Sequence, residues 1–100
     1  MQCDLGNLAG VLSLAEGVDA IVHAGGIPHE NTFAVILNGN IVGTYSVYEA
    51  ARQHGVWRVV YTSSNHAIGF YDRTQIIDST APHRPDSLYG LSKFFAEDLG

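Results

Sequence analysis

Two short apolar runs joined by a helical pattern constrain the fold of this chain more than any other feature. The runs are Ala20–Ala24 and Arg58–Ser63, and continuous apolar runs of this length are typical of buried strands in a parallel sheet. Between them, apolar side chains recur at helical spacing, and Gly55 stands where that helix would end. A strand, a helix and a strand in this order form a parallel βαβ unit with a right-handed crossover. We therefore predict an α/β fold.

Further elements are predicted on both sides of this unit. Residues Leu8–Ala15 have helical periodicity and follow a possible strand end at Gln2–Leu5. Residues Gly69–Pro85 lack periodicity and hold two of the three prolines, which predicts a loop. Residues Leu88–Leu99 are good helix formers, and either Ser87 or Asp86 could cap the helix that they predict. The apolar side chains of this last helix fall on one stripe: Leu88, Leu91, Phe95 and Leu99.

The composition narrows the class of protein. A chain of 100 residues fits within one domain, and its 15% of charged residues is well below the roughly 25% of an average soluble domain. We therefore expect a fragment whose surface is partly interior to a larger protein. A net charge of -5 with five Lys and Arg argues against a nucleic-acid partner.

The cysteine count and the apolar runs bear on the setting of the protein. Cys3 is the single cysteine, so no disulfide can form within the chain, and a reducing, cytoplasmic setting fits best. No Cys/His cluster with zinc-like spacing accompanies it, so no metal site is predicted. The sequence also lacks a signal-peptide pattern and an apolar run long enough to span a membrane.

Tyr89 and Lys93 are the first candidate catalytic residues. They stand four residues apart on the last predicted helix, so both side chains emerge from the same face. A free tyrosine loses its proton near pH ~10, and an ammonium about 4 Å away favours the phenolate by about 4 kcal/mol at an effective dielectric of about 20. A lysine at this spacing is therefore sufficient to make a tyrosine a base near neutral pH. Taken alone, the pair is more often part of a solvated helix face.

Polar residues follow both predicted strands. Ser64, Asn65 and His66 come directly after the second strand, and His23 and Gly25-Gly26 lie at the end of the first. Ligand-binding residues of open α/β sheets gather at the carboxyl ends of the strands, and glycines there let a cofactor approach the backbone. Each segment alone could equally be an ordinary turn, and His66 alone could be a loop histidine. Their joint order along successive βα units favours a site.

In that order the chain resembles the extended short-chain dehydrogenases/reductases, the NAD-dependent epimerase and dehydratase superfamily. The resemblance runs from Asp4 to Gly100 and implies the central part of a Rossmann-like, doubly wound parallel sheet. The residues that carry it are Asp4-Leu5, Asp19 to Gly26, Asn40 to Thr44, Tyr61 to Ser64 and Tyr89 to Lys93.

Within the superfamily, the segments Ser63–Tyr71 and Arg84–Lys93 are similar to those of uronate dehydrogenases. Many sugar-nucleotide epimerases have Val-Tyr-Gly shortly after their serines, whereas this chain has Ile68-Gly69-Phe70. Pro28-His29 also replaces the small polar residue expected after Gly-Gly-Ile, which leaves the choice of sugar open.

The resemblance implies a role for each candidate residue. Tyr89 would take the proton of the anomeric hydroxyl of a hexuronate, and Lys93 would support Tyr89 and hold the nicotinamide ribose. Ser64 would orient the hydroxyl, and Asn65 and His66 would bind other sugar hydroxyls. The product would be an aldarolactone.

Cofactor contacts are likewise implied by resemblance. Asp4 and Leu5 would contact the adenine, and Ala24, Gly25 and Gly26 would line the cofactor cleft beside Tyr89 and Lys93. The cofactor implied is NAD, with NADP left open because the selecting acidic residue would precede Met1. Asn40 is expected to be a structural bridge from the long helix to a nearby strand.

The same reasoning leaves three alternatives for the chain as a whole. We expect one fragment, residues 1–100, of a single NAD(P)-binding Rossmann-like domain that lacks its first βαβ unit and its C-terminal half. The full-length protein would then be a uronate dehydrogenase, or alternatively a sugar-nucleotide epimerase or dehydratase. In either case the full-length enzyme is compatible with a homo-oligomer. A non-catalytic module that binds a nucleotide or a partner is the third alternative.

Overall fold

The computed structural model describes residues 1–100 and contains four α-helices and two strands. A π-helical segment and a 3₁₀ turn complete the regular structure. In chain order the elements are α1 (Leu8–Leu14), β1 (Ile21–His23), α2 (Phe33–Ile36), the π segment (Leu37–Val42), α3 (Gly43–His54), β2 (Val59–Tyr61), the 3₁₀ turn (Asn65–Ile68) and α4 (Leu88–Leu99).

The two strands form a parallel pair, which confirms the predicted α/β fold. Ile21 lies opposite Val59 and His23 lies opposite Tyr61. The carboxyl ends of both strands therefore meet at the same edge of the sheet, where the Thr62 amide donates to the His23 carbonyl over 3.1 Å. Residues that follow β1 and β2 are brought together by this register.

One continuous helical stretch makes the crossover between the strands. The backbone keeps right-handed helical angles at Ile36, Leu37, Val42 and Gly43, so α2, the π segment and α3 follow one another without a break. Gly55 ends α3 with a left-handed φ of 68°, as its position in the sequence predicted. The π segment was not predicted.

The core lies between α1 and α3. Val11 and Ala15 pack on Val47 and Ala50, and the half-buried Leu5 and Ile21 pack against this cluster. Small side chains on α3 let α1 and β1 approach it closely, so this face of the sheet is covered.

The two strands were predicted to be buried, but the face of the sheet opposite α3 is exposed. Val22 and Val60 are 72% and 61% exposed because their side chains alternate away from α3, and no element of this chain packs on that side.

The predicted strand end at Gln2–Leu5 is also wrong. Asp4 closes a turn there, since its carbonyl accepts from the Asn7 amide and its carboxylate accepts from the Gly6 amide.

The apolar stripe of α4 is not its buried face. Leu88, Leu91 and Leu99 are exposed, whereas the face that packs inward carries small, polar and candidate catalytic residues. The buried residues of α4 are Tyr89, Gly90, Ser92, Lys93 and Ala96. No helix in the structure has both the length and the apolar character needed to cross a membrane.

Candidate active site

The 3₁₀ turn after β2 presents the predicted polar residues. Ser64 is in an extended conformation and caps this turn, because its Oγ accepts from the His66 amide over 3.2 Å. The Ser64 hydroxyl also lies 3.4 Å from Asn65 Oδ1. The strand end thus forms a short helical turn in place of the simple turn that the residue types suggested.

Two side chains cap the start of α4, the hydroxyl of Ser87 and the carboxylate of Glu30. Ser87 Oγ accepts from the Gly90 amide over 2.9 Å, so Ser87 is the cap that the sequence offered beside Asp86. Glu30, from the loop after β1, accepts from the Leu88 amide at 2.8 Å and from the Tyr89 amide at 3.2 Å. A carboxylate at this end of a helix is favoured by the unpaired amides and the helix dipole. The start of α4 is therefore tied to the loop after β1.

Tyr89 and Lys93 are both 8% exposed and lie on the inward face of α4. Lys93 Nζ donates to the Thr62 carbonyl over 2.9 Å and lies 5.5 Å from the centroid of the Tyr89 ring. It also lies 5.0 Å from the Tyr61 ring. Burial lowers the pKa of Lys93 from its usual value, because the charged form loses hydration. The predicted pair is thus assembled at the carboxyl end of β2.

His66 adjoins this pair through its ring. The His66 and Tyr89 rings meet edge to face with centroids 5.5 Å apart. His66 Nδ1 faces the Asp86 carboxylate at 3.0 and 2.9 Å, and hydrogen bonds from Ser87 and His66 lower the pKa of Asp86. The Ser64 turn, His66, Tyr89 and Lys93 therefore form one group of side chains.

The end of β1 is held by contacts within the chain. A Cβ at Gly25 would lie 2.7 Å from Leu5 Cδ1, and Gly26 has a φ of 128° with Asn40 Oδ1 beside it. The glycines are therefore needed for packing of this loop as well as for any approach of a cofactor. Asp4 lines a cavity together with Ile27 of the loop after β1.

Asn40 forms the expected bridge, with partners other than a strand. Its Oδ1 accepts from the Ile27 amide at 2.6 Å, and its Nδ2 donates to the Ile27 carbonyl at 3.1 Å and to Ser92 Oγ at 3.0 Å. Asn40 lies in the π segment and is 4% exposed. It connects the loop after β1 to α4.

The donor set around Lys93 fits a dinucleotide. A lysine ammonium has three N–H donors. The ammonium of Lys93 uses one donor on the Thr62 carbonyl and forms no salt bridge with a carboxylate. A buried cation in this state suits the ribose hydroxyls of a nicotinamide nucleotide. Ala24 and Gly25, which follow β1, are exposed, so the backbone at the end of this strand is open to a ligand.

Three contributors to the site were missed by the sequence reasoning. Thr62 contributes its backbone carbonyl, and the Glu30 carboxylate binds backbone amides of α4. Nothing in a residue pattern marks contacts to backbone groups so distant in sequence. The sequence indicated Asp86 only as a possible helix cap. Because Ser87 caps α4, the carboxylate of Asp86 is left to bind another group, which is the ring of His66. The adjacent Asp86 and Ser87, with only one cap needed, are the sequence signal for this second partner.

Comparison with known proteins places this geometry in a family. The model of the NAD-dependent epimerase/dehydratase family matches residues 1–100, which is the whole chain. The chain belongs to the NAD-dependent epimerase/dehydratase family. The resemblance found in the sequence is thereby confirmed.

Among individual relatives, uronate dehydrogenases stand out. The chain is 57% identical to the uronate dehydrogenase of Pseudomonas putida over 99 residues, which are 99% of this chain and 37% of the relative. A crystal structure of uronate dehydrogenase from Agrobacterium tumefaciens is 52% identical, with a TM-score of 0.96 over 99% of this chain and 37% of that one. A mutant of the same enzyme, complexed with NAD, also has a TM-score of 0.96, at 50% identity and the same coverage. The chain spans about 37% of the length of these relatives.

Proposed function

We propose that the full-length protein oxidises the C1 hydroxyl of a hexuronate to an aldarolactone and that NAD accepts the hydride. The proposal is supported by the identity of 57% to a uronate dehydrogenase and by the grouping of Ser64, His66, Tyr89 and Lys93 at one edge of the sheet. All of residues 1–100 then belong to a single NAD-binding domain. The free cysteine, Cys3, supports a cytoplasmic setting.

The observation that carries the proposal is the buried Tyr89 and Lys93 pair. The ammonium of Lys93 lies 5.5 Å from the centroid of the Tyr89 ring, which puts a positive charge beside the phenol that we propose as the base. Tyr89 then takes the proton of the C1 hydroxyl as the C1–H bond breaks and its electron pair leaves as hydride. The oxygen forms the lactone carbonyl. NAD supplies the hydride acceptor in this step.

The remaining side chains orient the sugar and the cofactor. Ser64 donates to or accepts from the hydroxyl that is oxidised, and Asn65 and His66 bind neighbouring hydroxyls. Lys93 holds the nicotinamide ribose with the N–H donors that Thr62 leaves free. At the adenine end of the cofactor, Asp4 and Leu5 contact the adenine. Ala24, Gly25 and Gly26 line the cofactor cleft.

The exposed leucines of α4 support self-association of the full-length protein. Leu88, Leu91 and Leu99 are 38%, 46% and 43% exposed, although they are large apolar side chains on one helix. A second copy of the same helix would remove this surface from water. We therefore propose that the full-length protein is a homo-oligomer, and sedimentation of the wild-type protein beside a Leu91→Glu variant tests it.

The activity is tested with purified full-length protein, NAD and either galacturonate or glucuronate. We expect NADH to form, as followed by absorbance, and a Tyr89→Phe variant to lose at least about 100-fold in kcat while it still binds NAD. Absence of NADH with every hexuronate would contradict the proposal. Conversion of a sugar nucleotide without net NADH would instead assign an epimerase or dehydratase reaction.

A further inference from the structure

Asp86 makes more contacts than a loop residue before a helix requires. Its carboxylate lies 3.0 and 2.9 Å from His66 Nδ1 and accepts from Ser87 Oγ over 2.8 Å. Its own amide donates to the His66 carbonyl over 3.3 Å. Asp86 therefore holds His66 by both its ring and its backbone.

Two glycines make room for this arrangement. A Cβ at Gly69 would lie 2.1 Å from Asp86 Oδ2, and a Cβ at Gly90 would lie 2.4 Å from the His66 carbonyl oxygen. Contacts this short cannot be made by a real side chain, so the 3₁₀ turn, the Asp86 carboxylate and α4 can pack together only with glycine at both positions. The pairing of Asp86 with His66 is thus built into the packing of the loop.

The pairing determines which ring nitrogen of His66 carries a proton. An ionised carboxylate only accepts hydrogen bonds, so Nδ1 must be the donor towards Asp86. In the neutral ring Nε2 is then an acceptor, and it makes no hydrogen bond within the chain. The ring edge lies against Tyr89, which the proposed function makes the base. His66 Nε2 is therefore available to accept a hydrogen bond from a hydroxyl beside the reacting carbon.

We propose that Asp86 is a positioning residue that fixes the Nδ1–H tautomer of His66, so that His66 Nε2 accepts a hydrogen bond from a sugar hydroxyl of the substrate. The inference rests on the proposed function for the identity of the substrate. The tautomer of His66 does not depend on the identity of the substrate, because it follows from the contact of Nδ1 with the Asp86 carboxylate. Because Asp86 acts through a substrate contact, its loss raises KM more than it lowers kcat and leaves NAD binding unchanged.

The direct test is Asp86→Asn in the full-length protein. An asparagine can turn its amide N–H₂ towards Nδ1 and so favour the opposite tautomer, in which Nε2 donates. We expect kcat/KM for the hexuronate to fall about 10- to 100-fold, mainly through KM, with the dissociation constant of NAD unchanged. In ¹⁵N-histidine NMR spectra, the His66 signals should move from the Nδ1–H pattern to the Nε2–H pattern, with His66→Gln used for the assignment.

Two further variants control this test. Gly69→Ala displaces the Asp86 carboxylate without changing its charge, and it should reproduce the rise in KM and the loss of the Nδ1–H pattern. Asp78→Asn alters another carboxylate of the same loop, which accepts from the Thr80 amide and hydroxyl, and it should leave KM and the His66 signals unchanged.

The outcomes separate this inference from the proposed function. If the wild-type protein oxidises hexuronates and Asp86→Asn matches its kcat/KM, the positioning role is refuted. A fall in NAD affinity equal to the fall in kcat/KM would also refute it, because it would show a general structural loss. If the wild-type protein oxidises no hexuronate, the proposed function fails, and an unchanged Nδ1–H pattern in Asp86→Asn would overturn the role of Asp86 separately.

Discussion

Asn40 is a single residue that connects two separate parts of the site through its side-chain hydrogen bonds. It is buried in the π segment and joins the loop after β1 to Ser92 of α4. The residue type and its place in a helix predicted a bridge, but the sequence could not identify the partners. They lie 13 and 52 residues away along the chain and are brought together only by the fold.

Removal of the Asn40 side chain should destabilise the protein. Asn40→Ala leaves the Ile27 amide without a partner in a closely packed region, and we expect the free energy of unfolding to fall by about 2 to 3 kcal/mol. Urea unfolding measures it. Asn38→Ala, an exposed site in the same segment, should change it by less than about 0.5 kcal/mol. Equal effects of the two variants would contradict a bridging role.

His23 should make stability depend on pH. Burial, and then the charge of Lys93, lower the pKa of His23 below 6.5, and its ring bonds Thr44 Oγ1 over 3.1 Å. The unfolded chain then binds more protons than the folded one at mildly acidic pH, so stability rises with pH. The contribution of His23 is fully present above about pH 6.5 and is lost as the pH falls towards its lowered folded pKa.

The measurement compares unfolding of the wild-type protein and His23→Gln between pH 7 and pH 5. The wild-type free energy of unfolding should fall more steeply over this range than that of the variant. His29→Gln, at an exposed loop position, should keep the wild-type slope. Parallel curves for the wild-type protein and His23→Gln would contradict the assignment.

At the scale of elements, local patterns predicted most of the fold. The strands, the crossover helix with Gly55 at its end, α1 and α4 follow from periodicity and capping residues within a few positions of one another. The inward face of α4 did not follow, because it is decided by contacts that are distant in sequence. Gly90 lets the 3₁₀ turn approach and Lys93 bonds the Thr62 carbonyl, so this face is buried although its apolar residues lie elsewhere.

The caps of two helices offer a matched comparison. Ser87 bonds the Gly90 amide at the start of α4, whereas Thr32 precedes α2 without any capping hydrogen bond from its side chain. We expect Ser87→Ala to lower the free energy of unfolding by about 1 kcal/mol and Thr32→Ala to change it by less than half of that. Chemical denaturation of both variants measures the difference. A larger loss in Thr32→Ala would show that the cap geometry does not determine helix stability here.

At the scale of the whole molecule, the chain is one layer of helices on a two-stranded sheet. Its smallest dimension is 17 Å, and the side chains of Val22 and Val60 project from the uncovered face. Parallel sheets are normally covered on both faces, and this chain spans about 37% of the length of its relatives. The low content of charged residues predicted such a surface from the sequence, but only the register shows which side chains form it.

This uncovered face yields a prediction for the full-length protein. We expect Val22→Thr to lower its free energy of unfolding by about 1 to 2 kcal/mol, because the new hydroxyl would be buried without a partner when further chain covers the sheet. Threonine is as good a strand former as valine, so strand propensity does not confuse the result. Ile76→Thr makes a similar exchange at a fully exposed loop side chain, and it should cost less than about 0.5 kcal/mol. If Val22→Thr is equally harmless in urea unfolding, the face stays in contact with water and the sheet is covered on one side only.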